Sequence, residues 1–298
     1  MSLSFYFTKF VVRIFVKLFI GLIAYTSKSM KKILLVVTII TLKICCYGQT
    51  AEKYYETGIT LLESGIYELA IEYLSKSLEI NSSFIEAYKS RASIYDILGD
   101  YKRATIDLNK ALEINKQDAE LYYNRGVSLS KQFDFASAIK DLNSAIDIDP
   151  EFALAYVLRG LSNVAIGNHK SALGDFNRAI EIDPRIASAY ASRGVAKSYL
   201  DDFEGALKDC NKAIEIDEEN AEAYYSRGFV KGGISDYEGA IADFTRAIEI
   251  KSDYGFAYYV RGRIKYEILD KSGACRDWRK AYEIGLTQAV EVIARFCN

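Results

Sequence analysis

The chain has 298 residues, half of them hydrophobic, with 23 Tyr, one His and two Pro. That length and composition suit a folded, helix-friendly chain with a sizeable core and exclude a disordered or collagen-like one. Seven of the 38 Lys/Arg lie in residues 1–50, which hold no acid, so the other 31 face all 40 Asp/Glu; a body that acidic repels a phosphate backbone, and no nucleic-acid partner is expected.

Residues 1–29 are apolar and basic. Lys9, Arg13 and Lys17 recur every four residues and form one stripe on a helix. A spanning helix would hold each such charge near its centre at about 2.5–3.5 kcal/mol; an interfacial helix would not. Met1 and Met30 are the only methionines, and Met30 opens the better leader, so 1–29 is read as lying upstream of the working start. Residues 30–48 carry Lys31 and Lys32, then the apolar run Ile33–Leu42, then the small residues Cys46 and Gly48 at −3 and −1 to Gln49. This is the layout of a secretory signal peptide, with an apolar core too short to span a bilayer comfortably. Two alternatives stay open: an uncleaved membrane anchor, and lipidation at Cys45 or Cys46, for which bulky Ile44 is a poor approach. Membrane contact is expected only through residues 1–48.

From Ala51 the chain divides into seven blocks of 34 without insertion or deletion: 51–84, 85–118, 119–152, 153–186, 187–220, 221–254 and 255–288. Position 4 is Tyr and position 20 is Ala in every block; position 8 is Gly or Ala, position 27 Ser or Ala, and position 30 Ile. Positions 4, 7, 8 and 11 share one face of a first helix, and 20, 24, 27, 28 and 31 share one face of a second. Small residues at 8, 20 and 27 let the two approach closely. Asp or Asn at position 16 in six blocks suits a turn followed by a helix start. One such hairpin cannot bury its own apolar face, whereas stacked copies can.

These blocks resemble the tetratricopeptide repeat (TPR): aromatic at 4, Gly/Ala at 8, aromatic at 17, Ala at 20, large apolar at 24, Ala at 27 and Pro at 32 (Pro150, Pro184). The resemblance implies an all-α, right-handed superhelical solenoid of antiparallel helix pairs over residues 49–288, closed by a capping helix over 289–298. The departure is position 7, where the family usually has Leu. Here it reads Thr57, then Arg91, Arg125, Arg159, Arg193, Arg227 and Arg261. Position 23 reads Tyr73, then Asp107, Asp141, Asp175, Asp209, Asp243 and Asp277. With the turn near positions 15–16 the two positions stand level on antiparallel helices. An Arg–Asp pair is therefore predicted within each of blocks two to seven, in preference to a basic groove for an anion.

Cys210, at position 24, reads as a buried thiol. Cys275 lies 10 residues before Gly285 and Cys297 lies 12 after it, so a hairpin of the last two helices would bring them level, and a disulfide is geometrically reasonable. The closing segment resembles that of exported TPR proteins of Gram-negative bacteria, which supports both the bridge and the leader. Two unpaired thiols are the alternative. Little else is chemical. His169 occupies position 17, an aromatic packing site elsewhere, and Asn109, Asn143, Asn177 and Asn211 at position 25 read as repeated helix surface. No catalytic residue, metal site or cofactor is assigned.

The resemblance places a concave groove on positions 2, 5, 9, 12 and 13 of each first helix. Its lining includes Tyr55, Lys89, Tyr123, Val157, Leu161, Tyr199, Tyr225, Phe229, Tyr259, Arg263 and Tyr266. Lys89 and Asn124 hint at the family's clamp for chaperone carboxylates, but Val157 and Leu161 do not continue it. The expected function is a non-catalytic scaffold, exported to the periplasm or cell envelope, that holds a peptide or helix of another protein. A membrane-anchored adaptor and a self-associating envelope protein are the alternatives.

Overall fold

A computed structural model of the protein describes residues 50–297; the leader features expected in residues 1–48 fall outside them. The described residues form fifteen α-helices and no strand. They belong to two compact units that divide between Gln132 and Phe133. The first holds α1 (Ala51–Glu63), α2 (Tyr67–Ile80), α3 (Ile85–Ile97), α4 (Tyr101–Ile114) and α5 (Ala119–Lys131). The second holds α6 (Phe135–Ile148), α7 (Ala153–Ala165), α8 (His169–Ile182), α9 (Ala187–Ser198), α10 (Phe203–Ile216), α11 (Ala221–Gly233), α12 (Tyr237–Ile250), α13 (Gly255–Glu267), α14 (Lys271–Glu283) and α15 (Ala289–Phe296). Within each unit consecutive helices pack as antiparallel neighbours.

Every first helix begins at block position 1 and every second helix at position 17. The starts have a local cause. Asp100, Asp134, Asp202, Asp236 and Asp270 each accept a hydrogen bond from the backbone N–H three residues on, satisfying a donor the helix leaves open. Asn168 makes no such bond. The turn before each second helix needs a left-handed residue at position 15. Gly65, Gly99 and Gly167 supply it freely, while Phe133, Asp201, Ser235 and Leu269 adopt φ between 62° and 67°, where a Cβ is strained.

The core lies between paired helices. All seven alanines at position 20 are fully buried, and the large residues at position 24, from Leu74 to Trp278, are no more than 1% exposed. Burial of each Leu or Phe side chain contributes about 1.5–3 kcal/mol. The helices approach so closely at this level that a Cβ on Gly160 would sit 2.6 Å from the Phe176 ring, and one on Gly262 would sit 2.7 Å from Trp278 Nε1. That indole N–H donates to the Tyr259 carbonyl at 3.1 Å.

Buried aspartates line the same interface. Asp107, Asp175, Asp209, Asp243 and Asp277 are 3–6% exposed, and each is bonded by Nε and Nη2 of the arginine 16 residues earlier, at 2.6–3.0 Å. Arg125 and Asp141 belong to different units, and each is described with its own. The third guanidinium nitrogen, Nη1, reaches back 16 residues into the preceding repeat. Its acceptors are Ser75 for Arg91, Asn109 for Arg125, Asn143 for Arg159, Asn177 for Arg193, Asn211 for Arg227 and Thr245 for Arg261. Each guanidinium also lies over the ring of the Tyr three residues before it, at 5.3–5.9 Å. In the last three repeats a second cation joins: Lys197, Lys231 and Lys265 pair with Asp209, Asp243 and Asp277 at 2.9 Å. Position 25 is therefore not the plain helix surface expected from the sequence; it is the acceptor that ties one repeat to the next.

The last helix starts at Ala289, 34 residues after Gly255, so it takes the place of the first helix of an eighth block. Phe296 packs on Tyr266 at 4.7 Å and on Trp278 at 6.0 Å. Cys275 and Cys297 are bonded, with Cα atoms 5.5 Å apart, and Arg279 donates to the Cys297 carbonyl at 3.0 Å.

Two stability measurements follow. Leu269→Gly removes a left-handed Cβ from a residue that is 80% exposed, and should raise unfolding free energy by about 0.5–1 kcal/mol; a loss would show that the turn is unstrained. Asp209→Ala leaves Arg193 and Lys197 without their acid and should cost about 3–5 kcal/mol in urea unfolding of the full chain. Replacing Arg193 and Lys197 with Met and Asp209 with Leu should recover most of that loss. A cost below about 1 kcal/mol for the single change would mean the carboxylate is not what orders this interface.

Candidate functional site

On each first helix, positions 4, 7, 8 and 11 turn into the pair and are spent on packing and on the aspartates. Positions 2, 5, 9, 12 and 13 remain available for contact with something else. They behave differently in the two units.

In the first unit, Tyr55 packs half-buried against Phe84 at 4.8 Å. Lys89 pairs with Glu120 and, at 3.7 Å, with Glu86. Burial opposes its charge, but the hydrogen bond to Glu120 and the two carboxylates more than offset this, so its pKa is raised. Asp96 is raised by burial, against a hydrogen bond from Ser128. Tyr123 is half-buried, and burial pushes its phenol up. Glu86, Lys89, Asp96 and Glu120 line a cavity of about 370 Å³ with Ser93 and Asn124. The lysine that would hold a carboxylate is already neutralised from both sides, so this cavity has no free cation to offer an anion.

In the second unit the surface is aromatic. Leu161 is 43% and Tyr199 50% exposed. The Tyr199 ring stacks on His169 at 4.4 Å and 8°, and lies 5.7 Å from Phe229. His169 thus serves as an aromatic in the position where other repeats carry Tyr or Phe; its Nδ1 is buried without a hydrogen-bond partner. Tyr225 packs on Tyr254 at 5.2 Å and Phe244 at 5.5 Å, and burial raises its phenol pKa to about 12. Tyr254 is raised by burial as well. Tyr199, Phe229 and Arg263 border one cavity of about 320 Å³, lined also by Phe203 of α10, Gly232 and Gly233 of α11, Phe244 of α12 and Ile264 of α13.

Two expected groove residues lie elsewhere. Val157 is 6% exposed and packs with Phe176 in the core, whereas the tyrosines at the same position, Tyr55, Tyr123, Tyr225 and Tyr259, are half-buried. Tyr266 lies under Phe296, because the last helix covers its repeat. Tyr259 is half-buried and Arg263 exposed. The cavity itself was not anticipated from the sequence. It opens where positions 12 and 13 of the sixth block are Gly232 and Gly233, and that Gly–Gly pair, absent from the other six blocks, was its visible signal. Cys210 is fully buried, as expected of a core thiol, and burial lifts its pKa to about 12.

Patterns of the tetratricopeptide repeat match residues 85–118, 119–152 and 221–254, and a TPR repeat pattern matches 199–233. An uncharacterized protein of Methanocaldococcus jannaschii is 37% identical over 54 residues; the match covers 18% of this chain and 63% of that protein. Among solved structures, a tetratricopeptide repeat protein from Parabacteroides merdae is 20% identical with a TM-score of 0.75, covering 84% of this chain and all of that one. YrrB, described as a TPR protein with an unusual peptide-binding site, is 27% identical with a TM-score of 0.52, covering 63% of this chain and 97% of its own. MamA is 27% identical with a TM-score of 0.52, covering 55% and 96%. The matched repeats, the unbroken 34-residue register and the paired helices establish that this chain belongs to the tetratricopeptide-repeat family, whose members act as protein–protein interaction scaffolds.

Proposed function

We propose that this scaffold is exported and holds a segment of another protein against the first-helix face of its second unit. The observation that carries the binding half is the run His169–Tyr199–Phe229, three rings in contact with Tyr199 half exposed, beside an apolar cavity. Partly exposed aromatics offer large contact area with few rotors to freeze, which is the usual make-up of a binding hot spot. The buried arginines cannot serve, because their nitrogens are bonded to Asp and to the preceding repeat. A peptide-binding site in YrrB supports the reading by likeness.

The export half rests on the leader of residues 30–48 and on the Cys275–Cys297 bond, which persists only where thiols are not kept reduced. An uncleaved leader would instead make the same scaffold a membrane-anchored adaptor.

A photo-crosslinking residue at Leu161, introduced in the native cell, should capture one protein species, and Tyr199→Ala with Phe229→Ala should abolish the capture. Undiminished crosslinking in that double variant would remove this face from the mechanism. The intact mass of the native protein should begin at Gln49 and be short by two hydrogens. A mass starting at Met1 or Met30 with every thiol free would overturn export and leave the binding reading standing.

A further inference from the structure

The cavity of the second unit has a shape and a charge that narrow its occupant. Its walls are Tyr199, Phe203, Phe229, Val260 and Ile264. It stays open because Gly232 and Gly233 add nothing to it: a Cβ on Gly232 would stand 3.2 Å from Ile264 Cδ1, and one on Gly233 would stand 3.3 Å from the Phe203 ring. The volume, about 320 Å³, is ample for an aromatic side chain. Four aromatic rings in the lining, Tyr199, Phe203, Phe229 and Phe244, favour another ring over an aliphatic chain, through offset and edge contacts.

Arg263 stands at the rim. It is exposed, and it makes no ion pair or hydrogen bond among the described residues. The other cations at the matching level of these helices, Lys197, Lys231 and Lys265, are all committed to Asp209, Asp243 and Asp277. Arg263 is thus the cation of this rim whose charge is still unspent. Glu267, one turn further along α13, also borders the cavity and would repel a second acid on its side. The site is therefore complementary to one ring and one carboxylate, with the carboxylate on the Arg263 side.

We propose that the cavity between α10, α11 and α13 takes an aromatic side chain of a partner peptide, whose adjacent Asp or Glu pairs with Arg263. The inference rests on the groove reading above and makes it specific: the partner segment is an acidic–aromatic dipeptide step. A lipid headgroup would supply phosphate without a ring suited to this apolar cavity, and the phosphate beside a nucleobase would be repelled by Glu267.

The test uses the full chain, 15N-labelled, and the blocked peptide Ac-Gly-Asp-Phe-Gly-NH2. The amides of Gly232 and Gly233 should move on titration. Replacing Phe by Ala in the peptide should abolish the shifts, and replacing Asp by Lys should weaken binding about fivefold, the scale of an exposed ion pair. Arg263→Glu should reverse the order of the Asp and Lys peptides, and Gly232→Leu should eliminate binding. Arg263 is exposed, so its variant folds and carries the test even if Gly232→Leu does not. No movement of these amides up to about 5 mM peptide, near the weak limit for a ligand this small, overturns the proposal. Equal response to the Asp and Lys peptides overturns it too. If crosslinking from Leu161 still depends on Tyr199 and Phe229 while the peptide fails, only this proposal falls; if both fail, the groove reading falls with it.

Discussion

A carboxylate that is only a few per cent exposed cannot be left alone, and this fold is organised around six of them: Asp107, Asp141, Asp175, Asp209, Asp243 and Asp277. Removing a charge from water costs several kcal/mol, and the cost is offset only by good geometry with an opposite charge. The fork of an arginine supplies that geometry, with Nε and Nη2 both on the acid. Once the pair is made, the two helices of a repeat are fixed in height relative to each other. The remaining nitrogen then selects what the preceding repeat presents at position 25, an Asn, Ser or Thr oxygen. Apolar burial at positions 20, 24 and 27 supplies the stability; the polar node supplies register, a use for which a hydrophobic pair of similar volume is less suited because it slides.

This division of labour decides where binding is possible. In Arg91, Arg159, Arg193, Arg227 and Arg261 every guanidinium nitrogen is bonded internally, and the lysines of the last three repeats are paired beside them. What remains outward on the first helices of the second unit includes the aromatic residues Tyr199, Phe229 and Phe256. Specificity from electrostatics then has to come from an exception to the pattern. Arg263 is such an exception: position 9 is Ile, Ser, Val, Leu, Val and Phe in the other six blocks. An exception in a repeat is more informative than a conserved-looking feature, since packing alone explains the latter.

The sequence was most legible where the repeat is most regular. Helix starts at positions 1 and 17, the small-residue seam and the Arg–Asp spacing all follow from a 34-residue period and the turn near position 15. The tie to position 25 was not legible, although Asn recurs there in four blocks, because a residue that contacts the neighbouring repeat and one that faces water share the same periodicity. Val157 and Tyr266 were misplaced for a different reason. Whether a position lines a surface depends on the length of its side chain and on what covers it, and Phe296, the cover for Tyr266, comes from outside the seven blocks. The cavity at Gly232 and Gly233 is likewise a property of missing side chains, which a pattern of apolar positions does not register.

Each copy in a repeat array presents a surface that a neighbouring copy can bury. The first and last blocks depart from the pattern of that surface. At the start, Thr57 and Tyr73 stand where later repeats have Arg and Asp, so the first pair carries no buried charge needing a partner further back. At the end, position 25 is Arg279, a donor where every earlier acceptor is Asn, Ser or Thr, so no arginine of a following repeat could bond to it. It bonds instead to the carbonyl of Cys297. Phe296, at the position that repeats keep as Gly or Ala, fills the space against Tyr266 and Trp278 with its own ring rather than admitting a second helix pair. The Cys275–Cys297 bond holds that ring in place. Two changes, a donor for an acceptor and a large residue for a small one, set the surface at α15 apart from the one that the earlier repeats present to their neighbours.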